Sequence, residues 1–232
     1  MWKGLDLLFP PVCAGCGAPG WRWCGECQQR VASPPLPLCT LCGIPVKDPG
    51  LCADCRRAPP QYTALRSWSV FDSPVRNALH RLKYRRDIGL GDALAAQLSQ
   101  FALALNWPVT LITPVPLGQS RLKERGYNQV GLIARPLSLA MGISYAPNAL
   151  ARVRETRSQV GLTKMERHHN VRGAFQGNRS RVNGLVALVL DDVATTGSTL
   201  SACADALLTA GARDVYALTI SRALARHGLE SA

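Results

Sequence analysis

The sequence lacks an uninterrupted apolar run of about 20 residues, the length that a membrane-spanning helix requires, so no membrane insertion is expected. It also lacks a Gly-x-x-x-x-Gly-Lys-Ser/Thr loop, which excludes an NTPase of the P-loop class. The N-terminal stretch that ends at Pro10 and Pro11 is too short in apolar length for a secretory leader, and we therefore expect a cytoplasmic protein. Acidic residues are scarce as well. The chain has 15 Asp and Glu but 27 Lys and Arg, which gives a net charge of +12.

The excess of basic charge lies in the middle of the chain. Residues 61–182 hold 18 basic and 6 acidic side chains, which equals the whole net charge of +12. A basic centre of this kind suits a diphosphate and equally suits a nucleic-acid backbone. The densest part, His80–Arg86, is either the solvated face of a helix or a contact surface. Its four cations are Arg81, Lys83, Arg85 and Arg86.

The segment Val186–Thr199 joins an apolar run to a hydroxyl-rich loop. Val186–Leu190 shows no polar alternation, which predicts a strand buried on both faces in a parallel sheet. Asp191 and Asp192 follow at its C-terminal end, where open α/β sheets bind ligands. The loop then enters a helical run, and its residues are Ala194, Thr195, Thr196, Gly197, Ser198 and Thr199.

This loop predicts a phosphate site. Backbone amides at a helix N-terminus, hydroxyl groups and a glycine that permits close approach can together bind a phosphate monoester. A neighbouring carboxylate pair accepts hydrogen bonds from sugar hydroxyls, directly or through a hydrated magnesium ion. The same residues can instead serve only as caps and turns, but the order of strand, acids, loop and helix favours a site for a phosphorylated sugar.

A second buried strand is predicted at Val109–Thr113, because Pro114 and Pro116 after it cannot continue a central ladder. The following segment carries three cations that can neutralise a diphosphate, with the start of a solvated basic helix as the alternative. These cations are Arg121, Lys123 and Arg125.

Eight of the nine cysteines form four Cys-x-x-Cys pairs near the N-terminus. Two such pairs supply the four thiolates of a tetrahedral zinc site, so eight cysteines predict two closed, structural zinc sites. The simplest grouping joins nearest neighbours, and an interleaved grouping is the alternative. The nearest-neighbour sites are Cys13, Cys16, Cys24 and Cys27 for one ion, and Cys39, Cys42, Cys52 and Cys55 for the other.

Disulfides and redox chemistry are the rival interpretations of these cysteines. In a reducing compartment thiols stay available for metal, and redox proteins normally use a single Cys-x-x-Cys motif. Cys203 stands apart, within the helical run after the phosphate loop, and is expected to be a buried apolar residue.

The chain divides into two predicted parts. Residues 1–60 are too few for a large apolar core, so zinc would supply their folding free energy. Residues 61–232 alternate strands with helices, which predicts an α/β fold with a mostly parallel sheet flanked by helices. The predicted strands are 67–71, 109–113, 186–190 and 215–221, and the predicted helices are 74–86, 90–105, 125–140 and 198–210.

The motif Leu190–Thr199 resembles the phosphoribosyl-pyrophosphate (PRPP) loop of type I phosphoribosyltransferases. The resemblance implies that Asp191 and Asp192 bind the ribose hydroxyls and that Ala194–Ser198 hold the 5-phosphate. It also implies that the loop after the second strand receives pyrophosphate, with Arg121 and Arg125 stabilising it. Asp191, Asp192 and Arg125 are then the candidate catalytic groups, while Lys123 and the phosphate loop bind PRPP.

The same enzyme class carries a mobile hood between these two elements, and the candidate hood groups here are Arg154, Thr156 and Gln159. His168 and His169 lie in the same region. Adjacent residues of a helix point about 100° apart, so an exposed pair is favoured over a metal or acid–base site.

The order of motifs resembles the ComF/GntX family over nearly the whole chain. The cysteine pairs, Leu82-Lys83-Tyr84, Arg125–Gln129 and the phosphate loop carry the resemblance. It implies a double zinc ribbon before a phosphoribosyltransferase domain, in a protein linked to DNA uptake or utilisation. Two hypotheses arise from it. The first is a protein that binds PRPP with magnesium and transfers phosphoribose to an unknown acceptor. The second is a non-catalytic adaptor that binds single-stranded DNA or a competence protein.

Overall fold

A five-stranded parallel sheet runs through the computed structural model, which describes residues 10–155, 166 and 170–224. The helices are α1 (Gly25–Gln29), α2 (Ala53–Arg57), α3 (Val75–Tyr84), α4 (Leu90–Ala104), α5 (Gln119–Arg125), α6 (Gln129–Met141), α7 (Arg179–Val182) and α8 (Ser198–Thr209). The strands are β1 (Ala64–Val70), β2 (Leu111–Pro114), β3 (Ser144–Tyr145), β4 (Leu150–Arg152), β5 (Phe175–Gly177), β6 (Val186–Ala194) and β7 (Asp214–Arg222).

The sheet has the order β1-β7-β6-β2-β3, and every pair is parallel. Strand β6 therefore lies between β7 and β2, with Leu190 opposite Leu218 on one side and Pro114 on the other. Val186–Leu190 is fully buried, as expected for a central strand without polar alternation. Parallel strands place their C-terminal ends at one edge, so the residues that come after β6, β2 and β7 lie near one another.

Helices cover both faces of this sheet. Helices α3, α4 and α6 pack on one face through apolar side chains such as Leu82, Leu94 and Ile133. Helix α8 and the small antiparallel sheet β4–β5 pack on the other face through Leu207 and Phe175. The predicted fold class, a mostly parallel α/β sheet flanked by helices and preceded by a cysteine-rich module, is confirmed.

Several element bounds differ from expectation: β1 begins at Ala64 and not at residue 67, and β2 includes Pro114, which pairs with Leu190 although it was expected to lie outside the ladder. Strand β6 continues through both aspartates to Ala194, because Asp191 still pairs with Thr219 in the ladder. The helix expected over residues 125–140 begins only at Gln129, and a separate helix that the sequence did not predict, α5, ends at Arg125. Gly126, at φ 80°, ends α5 in the left-handed conformation, and the Asn128 side chain accepts a hydrogen bond from the Val130 amide to begin α6.

The cysteine-rich module packs against the sheet. The amide of Leu65 in β1 donates to the Leu41 carbonyl, and a Cβ atom on Gly43 would collide with the Leu65 carbonyl. Arg81 of α3 donates to the carbonyls of Val12 and Cys13. The division at residue 60 stays a prediction, although the module contacts both β1 and α3 of the larger part. Across the described part of the chain, every helix is too short or too polar to span a bilayer.

Candidate ligand site beside a double zinc ribbon

The eight N-terminal cysteines form two groups of four. Cys13, Cys16, Cys24 and Cys27 are one group, and Cys39, Cys42, Cys52 and Cys55 are the other; within each group the sulfur atoms lie within 4.8 Å of one another. This is the nearest-neighbour arrangement. Each group combines two Cys-x-x-Cys turns, and the second turn of each leads into a short helix, α1 or α2.

The sulfur spacing suits zinc. Sulfurs about 2.3 Å from a tetrahedral ion lie about 3.8 Å apart. The Sγ–Sγ distances are 3.6 Å for Cys13 and Cys27 and 3.7 Å for Cys42 and Cys52. Burial raises the pKa of the Cys13 thiol, but the amides of Cys16, Cys24 and Gly15 outweigh it and lower this pKa to about 6. Four thiolates leave no open position on the metal, so these sites are structural.

The two aspartates lie at the C-terminal end of β6. Asp192 is 7% exposed, and its Oδ2 atom is contacted twice. Lys83 Nζ lies 2.9 Å from it, and the Gln129 amide nitrogen donates to it at 2.8 Å. Charge and hydrogen bonds therefore saturate Oδ2 of Asp192. Its Oδ1 atom has no hydrogen-bond partner within the described ranges.

Asp191 is half-buried, and its Oδ1 atom accepts a hydrogen bond from the Asp192 amide at 2.8 Å. Burial raises the pKa of the Asp191 carboxyl to about 7, and the negative charge of Asp192 adds to this rise. The charges of Lys83 and Arg152 oppose it. Asp191 is thus a carboxyl group that titrates near neutral pH, whereas Asp192 beside it is compensated by a lysine.

The loop that is predicted to bind phosphate, Ala194–Thr199, follows this pair after Val193. Ala194 is the last residue of β6, and Gly197, at φ 80°, precedes the first turn of α8. The Thr196 and Ser198 hydroxyls are 2.8 Å apart, and the Ser198 amide donates to the Thr196 hydroxyl. These contacts lie at the start of α8, a helix of 12 residues that begins at Ser198. Thr195 is exposed, and Thr199 is half-buried in the first turn of α8.

The three predicted cations have different environments. Arg121 and Lys123 are exposed on α5. Arg125 is half-buried: its Nη1 atom donates to the Gln129 side-chain oxygen at 2.9 Å, and its guanidinium lies 5.3 Å from the ring centroid of Tyr84. Through Gln129, Arg125 is linked to Asp192, so it supports the carboxylate pair.

A carboxylate already lies at the loop after β2. Glu155 accepts a hydrogen bond from the Gln119 amide, and a Cβ atom on Gly118 would collide with its side chain. This loop is the one expected to receive pyrophosphate. The contact shows that it accommodates an anionic group against its backbone.

Part of the predicted hood lies within the described residues. Arg154 donates to the carbonyls of Asn170 and Arg172 at 3.0 and 2.6 Å, so it ties the two ends of the hood segment together. The remaining candidates in this segment lie outside the described residues: Thr156, Gln159, His168 and His169. Cys203 is a completely buried residue of α8 and belongs to the apolar cluster between this helix and the sheet, as expected.

The cations of the basic cluster His80–Arg86 have two kinds of environment, so neither alternative, a solvated helix face or a contact surface, applies to all four of them. Arg81 pairs with Asp87 at 2.7 Å and holds the first cysteine group through carbonyls, while Lys83 points to Asp192. Arg85 and Arg86 are exposed.

Four functional candidates escaped the sequence analysis: Lys83 and Gln129 as partners of Asp192, and Tyr62 and Arg222 beside the phosphate loop. The Tyr62 hydroxyl lies where a side chain on Gly197 would begin, 2.7 Å from an ideal Cβ. Arg222 ends β7 and is the Cα partner of Ala194. One sequence signal could have indicated Arg222, namely a charged residue at the end of a strand that is otherwise mostly apolar.

Comparison with known proteins finds a family model for the N-terminal residues and relatives that match most of the chain. A family model of the double zinc ribbon domain matches residues 4–56. The DNA utilization protein YhgH of Salmonella typhimurium is 34% identical over 228 residues, which cover 94% of this chain and 100% of that protein. Competence protein F of Haemophilus influenzae is 30% identical over 210 residues, with 86% and 90% coverage. Competence protein ComFC of Bacillus subtilis is 26% identical over 229 residues, with 95% and 89% coverage.

Among solved structures, the glutamine PRPP amidotransferase from B. subtilis, complexed with ADP and GMP, matches 67% of this chain with a TM-score of 0.38 and 22% identity. The chain spans 30% of the length of that enzyme. The relatives matched over nearly their full length carry the assignment. The chain belongs to the ComF/GntX family, which includes the DNA utilization protein YhgH and competence protein F.

Proposed function

We propose that the chain binds PRPP together with Mg²⁺ at the C-terminal end of β6 and acts in DNA utilization. The observation that carries the proposal is the arrangement of a carboxylate pair and a phosphate loop at the edge of the sheet where α/β proteins bind ligands. The relatives support the link to DNA, since they are named as DNA utilization and competence proteins.

The carboxylate pair has two oxygens available for a ribose. In the described residues, neither Oδ2 of Asp191 nor Oδ1 of Asp192 has a hydrogen-bond partner. These atoms would accept hydrogen bonds from the ribose hydroxyls or from the water ligands of Mg²⁺. Lys83 and Gln129 fix Asp192 from the opposite oxygen, so the pair is positioned before a ligand arrives.

The anionic ends of PRPP would bind on either side of this pair. The 5-phosphate would contact the amides and hydroxyls of Thr195–Ser198. The pyrophosphate would displace the Glu155 carboxylate from the Gly118–Gln119 backbone and bring Arg121 and Lys123 into contact with its charge.

Transfer of phosphoribose is the reaction that this arrangement supports. The bond from the anomeric carbon to pyrophosphate breaks, pyrophosphate leaves with the electron pair, and the acceptor forms the new bond. The protein contributes position and charge stabilisation, because no side chain needs to bond covalently to the sugar. Release of pyrophosphate in the presence of pooled bases and amines measures this reaction.

Calorimetric titration with PRPP and Mg²⁺ tests the proposal. The wild-type protein is expected to bind, and Asp191→Asn is expected to weaken binding by about tenfold or more, because a charged acceptor is removed. Asp191 is the better position to change, since Asp192→Asn also leaves Lys83 unpaired. Asp205→Asn, an exposed acid on α8, is the matched control for charge. Equal affinity of Asp191→Asn and wild type contradicts the assignment.

A second candidate function is binding of single-stranded DNA at the end of α3. Arg85 and Arg86 are exposed, and the rings of His80 and Tyr84 beside them lie 4.7 Å apart. Exposed cations next to aromatic rings are the groups that contact the phosphates and bases of single strands.

Fluorescence anisotropy with a labelled oligonucleotide tests this surface. Arg85→Ser with Arg86→Ser is expected to lower the salt dependence of binding by about 1.4 in log–log slope, because two phosphate contacts are lost. Arg179→Ser with Arg181→Ser removes the same charge from another exposed site and serves as the control. Equal slopes for the two variants argue against this surface.

A further inference from the structure

A cleft of about 800 Å³ lies between the phosphate loop and the second cysteine group. Thr195, Thr196, Gly197 and Ser198 line one side, and Cys42 and Cys55 belong to the other. Tyr62 and Arg222 lie in its lining as well. The volume falls within the range of about 300–1,000 Å³ that small-molecule sites occupy.

Arg222 is a buried cation in this lining. It is 2% exposed, and its Nη1 atom donates to the Cys42 carbonyl at 3.0 Å. Its Nε atom is buried and has no hydrogen-bond partner among the residues that the structure describes. Within the described part of the chain, no carboxylate forms an ion pair with Arg222. A buried guanidinium N–H without an acceptor is unfavourable, and an oxygen atom of a ligand in the cleft would supply the acceptor.

The fold places Arg222 beside the start of the phosphate loop. Arg222 is the Cα partner of Ala194, and the amide of Ala223 donates to the Ala194 carbonyl at 2.9 Å. The last residue of β7 and the last residue of β6 are thus neighbours across the ladder. The residues after Ala194 turn into the loop, so both strands end at the same cleft.

We infer that Arg222 binds the phosphate monoester of the ligand, so that this phosphate lies between the phosphate loop and the second cysteine group. The inference rests on the proposed function and deepens it, because it makes the zinc ribbon one wall of the phosphate site. Guanidinium groups bind phosphate oxygens through parallel N–H donors, and the Cys42 carbonyl holds this one in place.

Arg222 has one competing explanation, which is that it balances the charge of the zinc thiolates. Four thiolates around Zn²⁺ carry a net negative charge, and Arg66 lies beside the same group. Arg66 donates to the Thr40 carbonyl at 3.1 Å and to the Cys39 carbonyl at 3.5 Å. It is not among the residues that line the cleft. Arg66 is therefore a matched control for a purely structural role.

The experiment compares Arg222→Met with Arg66→Met in the full, zinc-loaded chain. Titration with ribose 5-phosphate gives the dissociation constant, and zinc content and the thermal midpoint are measured on the same samples. Arg222→Met is expected to raise the dissociation constant about 10- to 100-fold, since a charged donor to the phosphate is lost. Arg66→Met is expected to leave it within about twofold of wild type, and both variants are expected to hold their zinc.

The outcomes distinguish failure of the role of Arg222 from failure of the proposed function. If the wild type binds ribose 5-phosphate and the two variants lose affinity equally, or not at all, the role of Arg222 is overturned while the proposed function stands. If the wild-type protein binds neither ribose 5-phosphate nor PRPP, both fail together.

Crystals of the wild-type protein with ribose 5-phosphate provide a second test that does not depend on the folding of a variant. A phosphate oxygen within about 3 Å of Arg222 Nε is expected. A phosphate bound by the loop but out of reach of Arg222 overturns the inference.

Discussion

The Nζ atom of Lys83 lies 2.9 Å from Oδ2 of Asp192, so an ion pair joins helix α3 to the C-terminal end of β6. The pair is mostly shielded from water, with side-chain exposures of 22% and 10%. Gln129 donates to the same oxygen. The cation that sequence alone placed in a surface cluster is therefore part of the support of the carboxylate pair.

Removal of the Lys83 charge is expected to destabilise the protein. Lys83→Met leaves the Asp192 carboxylate with one amide donor, and the free energy of unfolding should fall by about 1–3 kcal/mol, between the effects for exposed and fully buried pairs. Urea denaturation measures it. Lys123→Met, an exposed lysine on α5, should change the free energy of unfolding by less than about 0.5 kcal/mol. Equal effects at the two positions contradict the ion pair.

The stability of the protein should fall as the pH rises from 5 to 7. Asp191 has a pKa raised to about 7 from an ordinary value of 3.8, so the folded state keeps a proton that the unfolded chain has lost. In this interval the folded state binds more protons, and the free energy of unfolding decreases with pH by about 2 kcal/mol before it levels off above pH 7. Urea denaturation of wild type and Asp191→Asn at pH 5 and pH 7 tests this. The asparagine variant should lose less stability over the interval; parallel losses contradict the raised pKa.

The zinc content should depend on the eight paired cysteines and not on the ninth. Purified protein is expected to hold about two zinc ions per chain, and Cys55→Ala about one, because three thiolates no longer close the second site. Cys203→Ala removes a completely buried thiol that belongs to neither group and should retain both ions. Elemental analysis by mass spectrometry distinguishes these outcomes. Loss of an ion from Cys203→Ala would disprove the grouping.

Gly197 should tolerate a side chain less well than Gly126, although both have φ 80°. A Cβ atom on Gly126 would have no neighbouring atom within 4 Å. The variant Gly126→Ala should therefore lose stability only because alanine disfavours the left-handed conformation, by about 1–2 kcal/mol. At Gly197 the new Cβ also meets the Tyr62 hydroxyl at 2.7 Å. Urea denaturation should therefore show a larger loss for Gly197→Ala.

A rescue variant separates the two contributions. Tyr62→Phe removes the hydroxyl, so the double variant Gly197→Ala with Tyr62→Phe should regain part of the lost stability relative to Tyr62→Phe alone. If the two glycines cost the same and no rescue is seen, the contact with Tyr62 is not limiting.

Local patterns predicted the strand and the helix on either side of the loop 194–199 well. The strand, the acids and the helix are consecutive in the chain, so hydrophobic periodicity and capping chemistry describe them without tertiary information. The strand end was missed by four residues. Asp191–Ala194 includes two charged residues, yet the ladder to β7 continues through it because the neighbouring strand is long enough to pair.

Partners that are distant in sequence could not be predicted. Lys83 and Asp192 are brought together only by the order of strands and by the packing of α3 on the sheet. The cysteine groups show the same contrast. Their spacing predicted two metal sites, since each Cys-x-x-Cys pair lies within one turn. The location of the second group beside the phosphate loop results instead from docking of the ribbon on β1 and β7.

The hydrogen bond between Arg222 and the Cys42 carbonyl spans 180 positions of the chain. Strand β1 is at the edge of the described sheet, where its neighbour is β7. The strand that is synthesised first can therefore join the sheet only after the strand that is synthesised last. A ribosome that has released residues 1–60 has already supplied both sets of zinc ligands, and metal can bind before the sheet exists. The contact of the second cysteine group with Arg222 can form only after β7 is complete, which makes closure of the cleft a late and non-local event in folding.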